Sequence, residues 1–185
     1  IGKRENKIRD SQAKKQGEPI EKPGLIGAFN RAYPIDKAIE IFLSDIYEQS
    51  DIENRYSFKE GSTSAGVVIY DNKFSFSHHS TDPTSEKLCS AFDLVRLHKF
   101  YLLDNEDEDL PINKKPSYIA MCDLVAKDVL VKQQIGEHKL NEAQNVFKNI
   151  DSIETKSSGD MEWLKEMDVD RKGNYLNTIN NIALI

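Results

Sequence analysis

Cysteine is scarce in this chain: Cys89 and Cys122 are the two in 185 residues, beside one tryptophan, nine glycines and six prolines. Two thiols build no disulfide framework, so a reducing, cytoplasmic setting is expected. No apolar run approaches the ~18 residues that a membrane-spanning helix needs, and the first residues show no charged-then-apolar leader pattern. The phosphate-binding Gly-x-x-x-x-Gly-Lys-Ser/Thr pattern is absent, which argues against ATP hydrolysis by this segment itself. Paired Cys-x-x-Cys or His-x-x-x-His ligands are absent too. His78, His79, Cys89 and His98 are of zinc-ligand type, but they close no tetrahedron by spacing, and no metal or other cofactor is expected. Excess positive charge is also missing. Lys and Arg number 25 against 31 Asp and Glu, for a net charge of −6. A uniformly basic nucleic-acid binder is thereby excluded, although a local basic patch is not.

Hydrophobic residues make up 38% of the chain and charged residues 30%, enough apolar matter for one core beneath a wide polar surface. Residues 1–22 hold seven basic and four acidic side chains and few apolar ones, so they read as a basic, flexible linker. Gly24 to Tyr33 reads as a loop or short strand. After Pro34, the apolar positions Ile35, Ala38, Ile39, Phe42 and Leu43 follow helical spacing. Tyr56-Ser57-Phe58 predicts a strand. Gly66–Tyr70 and Lys73–Ser77 predict a β-hairpin turned at Asp71-Asn72, with a polar outer face on its second strand. Ser90 and Asp93 form an acidic capping box that opens a helix through Phe100. Asp104–Asp109 is a solvated acidic loop, Ser117 is expected to cap a helix carrying Met121, Leu124, Val125 and Val129, and a polar helix runs from about Gly136 to Asn149. Ser157-Ser158-Gly159 marks a linker before a terminal helix. The chain begins at Ile1 and its final apolar run reads as a helix cut off near its start, so a piece of a larger protein is expected. The fold class is α+β, a small antiparallel sheet packed with helices. The segments are 1–22 (linker), 23–103 (α+β core), 104–115 (acidic loop), 116–156 (helical part) and 157–185 (linker and start of a further domain).

The segment Ser77-His78-His79-Ser80-Thr81-Asp82-Pro83 concentrates hydroxyls, two imidazoles and a carboxylate in one loop at a strand end. It reads either as a phosphate- or base-gripping loop beside the helix N-terminus at Ser90, or as a turn with packed imidazoles.

The order Pro23–Phe29, then Glu60-Gly61-Ser62-Thr63, then Phe76–Pro83, then Ala91–Phe100, with Lys115-Pro116-Ser117-Tyr118 and Asp170–Tyr175, resembles the virulence-associated E family of phage and prophage replication proteins. That resemblance implies a middle region between a primase-polymerase-like domain and a helicase ATPase, with those neighbouring domains and single-stranded or primed DNA as partners. The order hairpin, polar loop, Phe-Asp-Leu-Val helix is also similar to the zinc-ribbon domain of bacterial primases. With no ligand pair near Arg55–Phe58, that likeness implies a ribbon that has lost its metal. The candidate DNA contacts are Arg55, Lys59, Ser62, Thr63, Lys73, His78, His79, Arg96 and Lys99, with Tyr56, Phe74 or His79 as stacking platforms. The rival expectations are a purely structural module bridging primase and helicase without touching DNA, and a catalytic role for His78 and His79.

Overall fold

The computed structural model describes residues 2–104, 109–147 and 162–183. The expected linker at Ser157-Ser158-Gly159, most of the acidic loop and the end of the polar helix lie outside them. Among the described residues, seven helices and a five-stranded antiparallel sheet make an α+β fold. The helices are α1 (Gly2–Gln16), α2 (Gly24–Ala32), α3 (Ile35–Phe42), α4 (Ala91–Phe100), α5 (Pro116–Val125), α6 (Val129–Phe147) and α7 (Ile179–Ala183). The strands are β1 (Tyr47–Gln49), β2 (Arg55–Phe58), β3 (Val67–Tyr70), β4 (Phe74–Ser77) and β5 (Leu88–Cys89), paired in sequence order as a meander.

Gly24–Ala32 is a helix where the sequence reading expected a loop or strand. Leu25, Ala28, Phe29 and Ala32 supply the buried stripe, at a helical period that two glycines obscured. Gly27 is required by packing: a Cβ there would run into the Lys22 backbone carbonyl. The stripe meets α4 and α6, and the core is centred on Phe29, Phe92, Leu94, Met121, Val125 and Val131.

The hairpin departs from the expected polar outer face. Register pairs Val67 with Ser77 and Ile69 with Ser75, so the two serines face the core and are only 1% and 2% exposed. Phe74 and Phe76 share the opposite face with Val68 and Tyr70. The reason is α1, formed by residues the sequence reading took for linker. Arg9 lies over the Tyr70 ring at 4.7 Å. Gln12 bridges the β5 edge, donating to the Glu86 carbonyl at 3.1 Å and accepting from the Leu88 amide at 2.6 Å. With cover on both faces, alternation no longer reports which side is solvent.

Helix starts are capped largely by residues from elsewhere in the chain, meeting the unpaired first-turn N–H groups. Ser90 caps α4 as expected, accepting from the Asp93 amide at 3.3 Å. The Asp71-Asn72 turn, with both φ values positive, also serves α3: Asn72 accepts from the Ile35 and Asp36 amides. At α5 the expected cap is corrected. Ser117 sits inside the first turn and is buried, and Asp104 accepts from both its amide (2.8 Å) and its hydroxyl (2.7 Å). Val129 begins α6 and does not continue α5, because Asp128 accepts from the Val131 amide and starts a new helix.

Residues 167–175, expected to enter a separate domain, lie against this same core. Val169 is in the buried cluster, and the turn held by Asp170 places the Lys172 carbonyl and Gly173 against Gly24.

Candidate functional site

β4 delivers the chain into the loop 78–87, and β5 leads out of it into α4. The loop is tied to β3 and β4 by the His78 amide donating to the Gly66 carbonyl (3.0 Å) and the Glu86 amide donating to the Ser77 carbonyl (3.0 Å). Its centre is Asp82, whose side chain is fully buried. Asp82 accepts from the Thr84 amide (2.8 Å), the Thr84 hydroxyl (2.6 Å) and the Tyr47 hydroxyl (2.8 Å). His98 of α4, its side chain 3% exposed, places Nε2 2.6 Å from the Tyr47 oxygen and 3.4 Å from Asp82. Because the Tyr47 proton goes to the carboxylate, its oxygen must accept, which assigns the Nε2–H tautomer to His98. Burial pushes the Asp82 carboxyl upward, but the hydrogen bonds from His98, Thr84 and Ser77 outweigh it and hold the group well below the usual carboxylate range. Burial and the Asp82 charge push the Tyr47 phenol far up. With its side chains almost fully buried, the cluster fastens loop 78–87 to β1 and α4. It offers no reacting group to a substrate.

His79, expected to meet DNA, is corrected: the residue is 5% exposed. Its Nδ1 lies 3.1 Å from the Thr63 hydroxyl, and its ring is 6.0 Å from Phe58. Its Nε2 is buried without a partner among the described residues. The ring fits between Gly61 and Gly66, where a Cβ at either position would collide with it. His79 therefore joins the loop 59–66 to the loop 78–87. At that exposure its ring has no open face for a base to stack on.

Arg96 is corrected for the same reason. The residue is 6% exposed, and its Nη1 donates to the Ser117 hydroxyl at 2.8 Å while Nε and Nη2 reach Asp93 at 3.4 and 3.3 Å. The guanidinium bridges α4 to α5 and is largely buried. Arg96→Ala is expected to cost about 2–3 kcal/mol, because Ser117 and Asp93 lose a charged partner in a buried setting. Chemical denaturation checks this, and a loss under about 1 kcal/mol would contradict the bridging role.

The remaining candidates divide by place. Lys59, Ser62, Thr63 and His78 are exposed at one end of the sheet, where β2 ends and β3 begins. Ser64, Ser80 and Thr81 are exposed on the same two loops. Lys59 also donates to the Ser44 carbonyl at 2.8 Å. Lys73 lies at the other end, ~10 Å of strand away, paired with Glu18 at 2.8 Å. Arg55 donates to the Ala65 carbonyl at 3.0 Å, and Lys99 is exposed on α4. Of the stacking candidates, Tyr56 packs against the core and Phe74 is half-buried. Cys89 is buried on the core face while His78 is exposed, and among the described residues no group of three His, Cys, Asp or Glu side chains could hold an ion.

Asp82 stands out in the sequence within its polar loop, but the partners that give it meaning do not. Tyr47 lies 35 residues away and His98 16 residues beyond Asp82, with no spacing to link them. Compared with protein-family models, with curated proteins and with solved structures, the chain matches none.

Proposed function

We propose that this chain is a single-stranded-DNA-facing module of a phage-type replication protein, working in the cytoplasm between primase and helicase domains. The observation that carries this reading is the shelf at the sheet end. Thr63 and His79 lock two loops together, and the exposed positions of those loops include the hydroxyls of Ser62, Thr63, Ser64, Ser80 and Thr81, with Lys59, His78 and Lys87 beside them and the carboxylates of Glu60 and Glu86 also exposed. Hydroxyl and cationic donors held on a rigid frame suit phosphate oxygens. No helix among the described residues is long and apolar enough to cross a membrane.

The test is fluorescence anisotropy of a labelled oligothymidylate at about 50 and 200 mM salt. The expected result is weak binding that falls with salt, with a slope of about 0.7 per neutralised phosphate. Lys59→Ala with His78→Ala lowers both the affinity and that slope. No measurable affinity at low salt would overturn the reading.

One observation favours a coupling module instead. Leu102 is 80% exposed, Leu103 54% and Ile112 60%, a set of apolar side chains flanking the acidic loop. Such surface suits a neighbouring domain.

A further inference from the structure

The cleft between α1, β5, α4 and α5 has a cavity of about 620 Å³, and the chemistry of its walls differs from that of the chain as a whole. The chain carries −6, yet this cleft gathers Lys15, Lys22, Lys87 and Arg96 against a single carboxylate, Asp93, which Arg96 already engages. Its floor is apolar and aromatic. Phe92 and Tyr118 stand with ring centroids 5.8 Å apart, tilted at 57°. Lys15 and Lys87 are exposed at the mouth, and Lys22 is half-buried. A volume of this size, a mostly apolar lining and a few placed polar groups are what small-ligand sites have in common.

A second observation points to a ligand. The Gln16 amide nitrogen donates to the Leu88 carbonyl, which fixes the side chain at the cleft wall. Its Oε1 is buried and has no partner among the described residues. Buried acceptors are normally paired, and an orphan lining a cavity calls for a donor beyond the described residues, which a ligand entering the cavity supplies.

We propose that this cleft binds a nucleotide. The base would lie on the half-buried Tyr118 ring, which the buried Phe92 ring backs from the core side, with a ring or exocyclic N–H donated to Gln16 Oε1, and the phosphate would sit at the mouth among Lys15, Lys22 and Lys87. Three features of one ligand class are matched at once: a flat apolar body, an N–H donor and an anionic end. The site is separate from the shelf at the sheet end and does not depend on that surface meeting DNA. The same chemistry is offered by a free nucleotide and by a nucleotide unit of a single strand.

The test is amide NMR of the whole isotopically labelled chain, titrated separately with adenosine 5′-monophosphate, adenosine, ribose 5-phosphate and hexadeoxyadenylate. Adenosine 5′-monophosphate is expected to shift the amides of Gln16, Leu88 and Cys89, with adenosine and ribose 5-phosphate each binding at least about tenfold more weakly. Lys15→Ala with Lys22→Ala, both at the mouth and outside the core, weakens the monophosphate about tenfold. Tighter binding of hexadeoxyadenylate at the same amides identifies a strand as the source, and tighter binding of the monophosphate identifies a free nucleotide. The proposal is overturned if neither ligand shifts those amides at ~10 mM, if ribose 5-phosphate alone matches the monophosphate, or if the lysine changes leave affinity untouched. Because Lys59 and His78 lie elsewhere, loss of oligothymidylate binding in their variants with these shifts intact separates the two sites.

Discussion

Asp82→Ala is expected to destabilise the protein by about 3–5 kcal/mol, a large share of the stability of an ordinary domain. The substitution strands the Tyr47 hydroxyl proton and the Thr84 hydroxyl and amide, and leaves the His98 Nε2–H with the Tyr47 oxygen alone, in a site whose side chains are almost fully buried. Tyr47→Phe removes one donor and leaves the carboxylate its other partners, so about 1–2 kcal/mol is expected. The two changes should be strongly non-additive, since each deletes the same bond. Urea denaturation of the single and double variants measures this, and additive losses would show that the cluster does not act as a unit.

The same carboxylate sets an acid limit. Its pKa in the folded state is held below the value of about 3.9 that the unfolded chain has. At low pH the unfolded state therefore binds more protons, so the contribution of Asp82 is complete above about pH 4 and is lost as the pH falls further. Asp82→Asn should flatten the acid side of the stability profile while lowering stability at neutral pH. An unchanged acid slope in that variant would place the sensitivity in other carboxylates.

Local signals were legible wherever one segment carries its own explanation. The spacing of Ile35, Ala38 and Ile39 gave α3, the Ser90–Asp93 box gave the start of α4, and Asp71-Asn72 gave the hairpin turn. What stayed hidden was every feature whose cause lies far along the chain. Ser75 and Ser77 look solvent-facing until register and α1 bury them. Ser117 looks like a cap until Asp104 takes that role. Arg96 and His79 look like contacts for a polyanion because composition reports charge and polarity but not accessibility. Arg96 reaches a hydroxyl 21 residues later, and the Nδ1 of His79 one 16 residues earlier. The polar loop was recognised as unusual, and the residues that make it rigid, Tyr47 and His98, lie outside it.

Gly66→Ala is expected to cost about 2–3 kcal/mol, and the reason is the His79 ring. A Cβ on residue 66 would lie 2.8 and 2.9 Å from His79 Cε1 and Cδ2, and closer still to Nε2. The obstacle is a rigid ring held between Phe58 and the Thr63 hydroxyl, so a side-chain rotation cannot relieve it cheaply. Gly61 offers no escape on the other side, because its own missing Cβ would be 2.7 Å from Nδ1. Removing the ring removes the clash. Gly66→Ala combined with His79→Ala should therefore be less destabilised than the two single losses added, with a coupling of about 2 kcal/mol. The Gly66→Ala single variant should also bind oligothymidylate more weakly, since expelling His79 unlocks the two loops that carry the exposed hydroxyls. Additive stabilities in the double variant would sink the interlock, and with it the argument that the shelf is preorganised.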